Sequence, residues 1–80
     1  MLTEIVFTGH YRSRMDEYGF SEERVREALG DPDEVVEGHS GRLVAHSRLN
    51  GKVLRVVFEE KQSVKTVVTV YPARADRYEV

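Results

Sequence analysis

The stretch Thr8–Leu29, TGHYRSRMDEYGFSEERVREAL, decides how the rest of this chain is organised. It reads as two short helices that break at Gly19, because glycine suits the left-handed conformation that follows a helix end. The later segments are rich in residues typical of strands, and a small sheet needs a cover for its apolar face. We therefore expect the two helices to pack on one face of a sheet.

The first helix is predicted to run from about Gly9 to Tyr18, with Thr8 as its N-cap. Tyr11 and Met15 lie on the same helical face as Tyr18 and form an apolar stripe with it. A helix with one apolar stripe is expected to place that stripe against the sheet or against a partner.

The second helix has boundary signals that agree with one another. Ser21 is its predicted N-cap, and the acidic residues that follow suit the positive end of a helix dipole. Phe20 before the cap and Val25 in the helix are placed for a hydrophobic staple. Gly-Asp-Pro at residues 30–32 ends the helix.

The clearest β signal is a pair of strand-like runs, Arg42–Leu49 and Lys52–Glu59, joined by Asn50-Gly51. Asn-Gly is the preferred pair for a two-residue type I′ turn, and such a turn fixes the register of the hairpin. The predicted pairs are Leu49–Lys52, Ser47–Leu54, Ala45–Val56 and Leu43–Phe58.

This register gives the hairpin two different faces. The face that holds Leu54, Val56 and Phe58 is apolar, so we expect the helices to cover it. The other face is half basic, and it places His46 directly opposite Arg55.

Further segments complete the predicted sheet. Residues 5–7 are either an edge strand or an apolar lead-in to the first helix, and residues 33–37 are a short strand or an extended connector. After a turn at residues 60–63, residues 64–71 form an interior strand that Pro72 ends. The predicted fold class is α+β, with two short N-terminal helices packed on one face of a three- to four-stranded antiparallel meander sheet.

Length and composition limit the class of protein. Eighty residues make one domain, residues 1–80, in which residues 73–80 form a polar tail that we expect to be flexible. The chain has no cysteine, its N-terminus lacks the pattern of a signal peptide, and its apolar runs are far below the about 20 residues of a membrane span. These features predict a soluble cytoplasmic domain without a membrane partner.

The net charge of −2 hides an asymmetry between the two halves of the chain. Residues 1–37 carry ten acidic residues and four arginines, whereas residues 38–80 carry eight basic and four acidic residues. The predicted helices are therefore acidic and the predicted sheet is basic. A basic sheet can follow the phosphates of a nucleic acid, although charged surfaces are also ordinary in soluble proteins.

His10 and Arg14 form the one local pattern that hints at chemistry. Four residues are about one helical turn, so both side chains leave the same face of the first helix. Imidazole transfers protons near neutral pH, and a guanidinium can hold a phosphate or stabilise developing negative charge. The structural alternative is that Arg14 pairs with Glu17 and that His10 packs near the helix start.

Polar residues of the sheet give two further candidates. His46 and Arg55 form either a cross-strand polar contact or a second site. Thr69 and Tyr71 alternate on one face of the last strand and could present hydroxyls to a cleft, although such residues are usually ordinary strand residues. No Gly-rich phosphate loop follows a strand, and the histidines lack the spacing of metal ligands, so we expect no cofactor and no metal.

Three runs of the chain are informative together because of their order and spacing: FTGHYRSRMDEYGFSEERVREALGDPDEVVEG, RLNGKVLRVVFEE and VVTVYP. The elements that carry the pattern are His10, Arg14, Gly19-Phe20-Ser21, Val25, Leu29, Pro32, Arg55-Val56-Val57 and Thr69-Val70-Tyr71-Pro72. Over about residues 6–72 the chain resembles the uncharacterised bacterial and phage family called domain of unknown function 4258. One departure is Tyr18, because family members often have an arginine just before the glycine of the break.

That family has been grouped by analogy with the small ribonuclease toxins of the barnase and RelE type. The resemblance implies metal-independent cleavage of RNA by a toxin-like domain, in which the 2′-hydroxyl attacks the adjacent phosphate. His10 would be the general acid or base, and Arg14 and Arg55 would contact the phosphate. Thr69 and Tyr71 would orient the substrate, with His10 within roughly 4–8 Å of one of these sheet residues.

The competing hypothesis is a non-catalytic binding or interaction module that uses the face of the first helix, as a dimer or with another protein. An exposed apolar patch around Tyr11 and Tyr18 would favour this module. Basic residues that face a cleft beside His10 would favour the enzyme. The expected partner of the enzyme is RNA, and a neutralising protein or a second copy of the chain is a further candidate partner.

Overall fold

The computed structural model describes residues 4–49 and 51–74. At five positions within these ranges it describes the backbone alone, namely His10, Tyr11, Arg14, Met15 and Leu49. The helices and strands are β1 (Glu4–Phe7), α1 (Gly9–Tyr18), α2 (Glu22–Gly30), β2 (Glu34–Glu37), β3 (Leu43–Leu49), β4 (Lys52–Lys61) and β5 (Val64–Arg74). A short 3₁₀ turn, His39–Gly41, joins β2 to β3. In this described part, no helix has the length and apolar character needed to span a membrane.

The five described strands form one mixed sheet in the order β1-β5-β4-β3-β2. β2 to β5 form an antiparallel meander, as predicted. The predicted antiparallel sheet of three to four strands is matched in part, because a fifth strand, β1, precedes both helices and pairs in parallel with β5. This strand is one of the two alternatives that the sequence left open for residues 5–7. The apolar run of β1 joins the sheet because Ile5 and Phe7 pack against the core. The α+β class is confirmed.

The hairpin of β3 and β4 has the register that its turn predicts. The paired residues include Leu43 with Phe58, Ala45 with Val56, Ser47 with Leu54, and His46 with Arg55. Leu54 and Val56 are fully buried and Phe58 is 2% exposed, so the predicted core face is confirmed. Gly51 in the turn has a φ of 83°, in the left-handed region that glycine tolerates, and Asn50 lies outside the described residues.

Helix α2 begins at the predicted cap. Ser21 has an extended backbone, and its hydroxyl oxygen accepts a hydrogen bond from the Arg24 backbone N–H at 3.1 Å. Phe20 packs against the core cluster that contains Val25, as expected for a hydrophobic staple. The helix ends at Gly30, where the prediction placed its stop.

The hydrophobic core lies between α2 and one face of the sheet. Its buried residues are Val25, Ala28 and Leu29 from α2 and Ala45, Leu54, Val56, Phe58, Val67 and Val70 from the sheet. Helix α2 contacts β3 and β4, whereas α1 contacts β5. The two helices therefore approach different parts of the sheet, and α1 is the helix next to the last strand.

A β-bulge changes the direction of side chains along β5. Val67 and Val70 are both fully buried although they are three residues apart, so the two-residue alternation of a strand is broken between them. The pairing with β4 shifts by one residue at this point, which leaves Val68 as the extra residue. Without the bulge Tyr71 would point to the core face, and with it Tyr71 lies on the opposite face.

The turn between β4 and β5 is narrower than the four residues predicted. β4 extends to Lys61 and β5 begins at Val64, so Gln62 and Ser63 alone make the connection. Their φ values are 51° and 66°, and two positive values are the mark of a type I′ turn. A turn was predicted here but its two-residue form was not, because neither residue is glycine or asparagine, the types that favour two positive φ values.

Pro72 does not end the last strand, contrary to the prediction. It lies within β5 and pairs with Leu54, and the strand continues to Arg74. β1 pairs only with residues 64–67 of β5, so within the described residues the later part of that edge has no neighbouring strand. A proline is tolerated there because a strand edge without a partner does not need its N–H.

Candidate functional site

Side chains from four strands form one row across the face of the sheet that is turned away from α2. The register places them next to one another on β2, β3, β4 and β5, in the order Glu34, His46, Arg55 and Tyr71. We call this set the polar row. Side chains in register on neighbouring strands lie close enough to interact, and the structure shows contacts of Arg55 with His46 and with Tyr71.

Arg55, in the interior of the polar row, is held from both sides. Its Nε donates a hydrogen bond to His46 Nε2 at 3.1 Å, and its Nη1 donates one to the hydroxyl of Tyr71. The guanidinium carbon also lies 5.2 Å from the centre of the Tyr71 ring, within cation–π distance. Because the Tyr71 oxygen accepts from Arg55, the Tyr71 proton can be donated to a ligand.

His46 is buried, with 3% of its surface exposed. Burial lowers the pKa of His46 below its ordinary value of 6.5, the positive charge of Arg55 lowers this pKa further, and Glu34 raises it in partial opposition. The imidazole is therefore neutral near pH 7, which agrees with its Nε2 accepting a hydrogen bond from Arg55. In that state its proton is on Nδ1.

A cleft of about 380 Å³ lies beside the polar row, between the sheet and the turn that joins β2 to β3. Its lining combines two arginines and a histidine with a glutamate, a tyrosine, a glycine and two valines, namely Arg42, Arg55, His39, Glu37, Tyr71, Gly38, Val44 and Val57. The cleft thus offers positive charge, hydroxyl donation and an apolar wall. The two guanidiniums outnumber the single carboxylate of the lining, so the cleft suits an anionic ligand.

Arg42 is positioned by the turn itself. The Gly38 N–H donates to the Arg42 carbonyl at 2.8 Å, and the Arg42 N–H donates to the His39 carbonyl at 3.1 Å. Arg42 Nε is buried and, among the described residues, has no hydrogen-bond partner. A buried donor of this kind is costly to leave unsatisfied, and the Arg42 side chain that carries it lines the cleft.

The start of α1 is tied to β5 at the bulge. The Thr8 N–H donates to the Val67 carbonyl at 3.3 Å, and the Thr8 hydroxyl donates to the Val68 carbonyl at 3.2 Å. Val68 is the extra residue of the bulge, and Thr69 follows it. The helix that carries His10 therefore begins beside the strand that carries Thr69 and Tyr71.

The predicted site residues divide into two groups. The structure brings Arg55 and Tyr71 into contact, and Thr69 lies on the same face of β5, opposite Val57 of the cleft wall. The side chains of His10 and Arg14 lie outside the described residues. Their role and their distance from the sheet residues stay predictions, although the backbone places their helix beside β5.

Sequence reasoning did not assign Arg42, His39 and Glu37 to a site. Alternation along β3 already placed Arg42 on the face of His46, so this signal was present. His39 and Glu37 could not be found in this way, because the fold of the turn at residues 38–42 decides that they line the cleft.

One observation bears on the competing hypothesis. Tyr18, at the end of α1, is 37% exposed, and its ring lies 6.4 Å from that of Phe20. The side chain of Tyr11, the other aromatic residue of the predicted patch, lies outside the described residues.

The fold and the cleft define a small α+β domain with a basic cleft on one face of a mixed sheet. The model of the family named domain of unknown function 4258 matches residues 7–72, so the chain belongs to this family. The resemblance found in the sequence is thereby confirmed, whereas the grouping with barnase and RelE remains an analogy. No curated protein and no solved structure matches the chain significantly.

Proposed function

We propose that this protein is a toxin-like ribonuclease domain that binds RNA in the cleft and cleaves it without a metal ion in the cytoplasm. The observation that carries the proposal is the placement of Arg55. Its guanidinium lines the cleft and is held there by His46 and Tyr71. A guanidinium held in a fixed orientation is well suited to bind a phosphate group, because its N–H groups match the phosphate oxygens.

Other features of the cleft support a phosphate ligand. Arg42 adds a second guanidinium with a buried donor nitrogen. Residues 38–80, which supply every lining residue of the cleft except Glu37, carry eight basic and four acidic residues, and this excess of positive charge favours approach of a polyanion.

The proposed reaction needs one proton acceptor and one proton donor around the phosphate. The 2′-hydroxyl loses its proton to a base as its oxygen bonds to phosphorus, the bond from phosphorus to the 5′-oxygen breaks, and that oxygen takes up a proton. We assign both proton transfers to His10, which takes the proton of the 2′-hydroxyl and passes it to the leaving 5′-oxygen. Charge stabilisation is assigned to Arg14 and Arg55. Thr69 and Tyr71 would orient the phosphate through their hydroxyls.

The test is cleavage of a labelled single-stranded RNA of mixed sequence by the purified protein, with and without EDTA. We expect fragments that end in a 2′,3′-cyclic phosphate, and no cleavage of DNA of the same sequence, because DNA lacks the 2′-hydroxyl. An RNA pool that stays intact across about pH 5–9, with and without divalent metal, would contradict the proposal.

A matched pair of variants separates this activity from a contaminating ribonuclease. Arg55→Lys keeps the charge but loses the two-sided hydrogen bonding, and we expect cleavage to fall at least about tenfold. Arg26→Lys makes the same change at an exposed residue of α2, on the other side of the sheet, and should leave cleavage unchanged. Equal cleavage by the two variants would argue against the cleft as the site of the reaction.

The exposure of Tyr18 favours a second candidate, a non-catalytic interaction module that uses the face of α1. A second copy of the chain, or a neutralising protein, would then cover this residue. Light scattering after size-exclusion chromatography would give a dimer mass for the native protein and a monomer mass for Tyr18→Ser. A monomer at all concentrations would remove the self-association form of this candidate.

A further inference from the structure

We propose that His46 is a positioning residue for Arg55: its neutral imidazole holds the guanidinium in the orientation that binds a phosphate in the cleft. This role rests on the proposed function, because it concerns the same cleft. It adds that a buried residue of a neighbouring strand controls the bound phosphate through Arg55.

The geometry supports this role in two ways. His46 lies directly opposite Arg55 in the register of β3 and β4, and its Nε2 accepts from Arg55 Nε at 3.1 Å. With 3% of its surface exposed, His46 cannot move aside easily, so its acceptor is fixed in space. A bond to Nε holds the guanidinium with Nη1 donating to Tyr71 on β5, and each terminal nitrogen carries two N–H groups, so the held guanidinium can still donate to a phosphate in the cleft that it lines.

The bond requires an unprotonated Nε2. If His46 takes up a second proton, both ring nitrogens become donors, and an imidazolium would stand beside a guanidinium with like charge. Protonation therefore removes the acceptor and repels Arg55 at the same time. Arg55 should then lose its fixed orientation, and phosphate binding should weaken.

Several titratable groups of the described part lie on the same face of the sheet as His46, and two of them act on its protonation. Glu34 on β2 favours protonation, whereas Arg55 on β4 opposes it. Arg48 lies two residues further along β3 on the same face, and Tyr71 lies beyond Arg55 on β5. Burial and Arg55 together outweigh Glu34, so the bond should be intact at neutral pH and should break in acid.

Two substitutions separate positioning from packing. His46→Gln offers an amide oxygen near the place of Nε2, so it keeps an acceptor that does not titrate. His46→Leu fills the buried site without any acceptor. The probe is a fluorescently labelled single-stranded DNA, which offers phosphates but lacks the 2′-hydroxyl, so that binding is measured without cleavage.

At about pH 7.5 we expect the native protein and His46→Gln to bind the probe with dissociation constants within about twofold, and His46→Leu to bind about tenfold more weakly. At an acid pH where nuclear magnetic resonance shows the His46 ring to be protonated in the native protein, that protein should bind about tenfold more weakly than His46→Gln. The two proteins are compared at the same pH so that effects of acid unrelated to residue 46 cancel in the ratio of their dissociation constants. Equal binding by all three proteins at both pH values would overturn the proposal.

A direct readout tests the bond even if the DNA probe does not bind or the leucine variant does not fold. The Arg55 Nε–H signal, followed by nuclear magnetic resonance in the native protein, should shift as His46 titrates, and in His46→Gln it should not shift. If the Arg55 Nε–H signal stays unchanged while His46 titrates, the positioning role of His46 would be refuted. If the Arg55 signal follows the His46 titration as expected but the protein neither binds the DNA probe nor cleaves RNA, the proposed function would be refuted instead.

Discussion

Arg55 loses much of its side-chain freedom on folding, before any ligand arrives. His46 and Tyr71 contact its guanidinium from the two neighbouring strands. Ordering a long side chain costs about 0.5–1.5 kcal/mol when it occurs on binding. For Arg55 much of this cost falls on folding instead, so the residue is prepared to bind a phosphate.

The role assigned to His10 leads to a prediction for one substitution. His10→Ala should abolish RNA cleavage and leave the melting temperature nearly unchanged, because a proton-transfer group acts in the reaction rather than in folding. Ser13→Ala, at an exposed residue of the same helix, is the matched control and should keep full cleavage. Loss of stability in His10→Ala without any cleavage by the native protein would favour the interaction module.

His46 should also make the stability of the fold depend on pH. Its pKa is below 6.5 in the folded protein and ordinary in the unfolded chain, so the unfolded chain binds more protons as the pH falls through 6.5. The free energy of unfolding should therefore decrease in acid, by about 1.4 kcal/mol for each unit of lowering, and level off below the folded pKa. Urea unfolding should show that the native protein loses free energy of unfolding relative to His46→Gln as the pH falls below 6.5. If both proteins lose the same free energy, His46 is not the cause of the pH dependence.

At this scale the sequence predicted some contacts and could not predict others. The pair His46–Arg55 follows from the Asn50-Gly51 turn, because a two-residue turn fixes the register of its hairpin. The contact of Arg55 with Tyr71 depends on the bulge at Val68, and no residue type near Val68 predicts a bulge. One residue more or fewer in that strand would move Tyr71 to the core face.

The start of α2 is the element boundary that the sequence predicted best. Ser21→Ala should lower the free energy of unfolding by about 1 kcal/mol, because the Arg24 N–H loses the hydroxyl that accepts its hydrogen bond. Thermal or urea unfolding measures this loss. Ser13→Ala, within α1, serves as the control and should cost much less, so an equal loss in the two variants would contradict the cap.

The hairpin turn gives a second prediction for an element. Gly51 has a φ of 83°, and a Cβ there would meet nothing within 4 Å, so Gly51→Ala adds backbone strain alone. We expect a loss of about 1 kcal/mol. At Gly30 a Cβ also meets nothing within 4 Å and the φ lies outside the left-handed region, so Gly30→Ala should cost nothing measurable. Urea unfolding compares the two, and equal stabilities would mean that the turn is not strained by alanine.

Two elements show why local patterns were insufficient. β1 is four residues long, and its partner β5 lies about sixty positions further along, so no local signal links them. Pro72 is normally a stop for a strand, yet it is tolerated where the edge of β5 lacks a neighbouring strand among the described residues. In both cases the deciding fact is the position of another strand.

The whole molecule depends on one small core. Leu54 is fully buried in it, so Leu54→Ala should cost about 2–5 kcal/mol through lost contacts and a cavity. A domain of this length has a total stability of roughly 4–12 kcal/mol, so the loss is a large share of the total. Val35→Ala, at a residue 46% exposed on β2, should cost far less in the same urea titration. Similar losses would mean that the core is elsewhere.

The pairing of β1 with β5 has a consequence for the time at which the protein matures during synthesis. The ribosome makes β1 first, but Glu4 can meet Val64 only after about sixty further residues have been made. Thr8, which connects β1 to α1, likewise waits for its partner carbonyls on Val67 and Val68. Closing so long a loop is slow compared with forming a hairpin. A nascent chain therefore carries β1 without its partner strand until β5 has emerged.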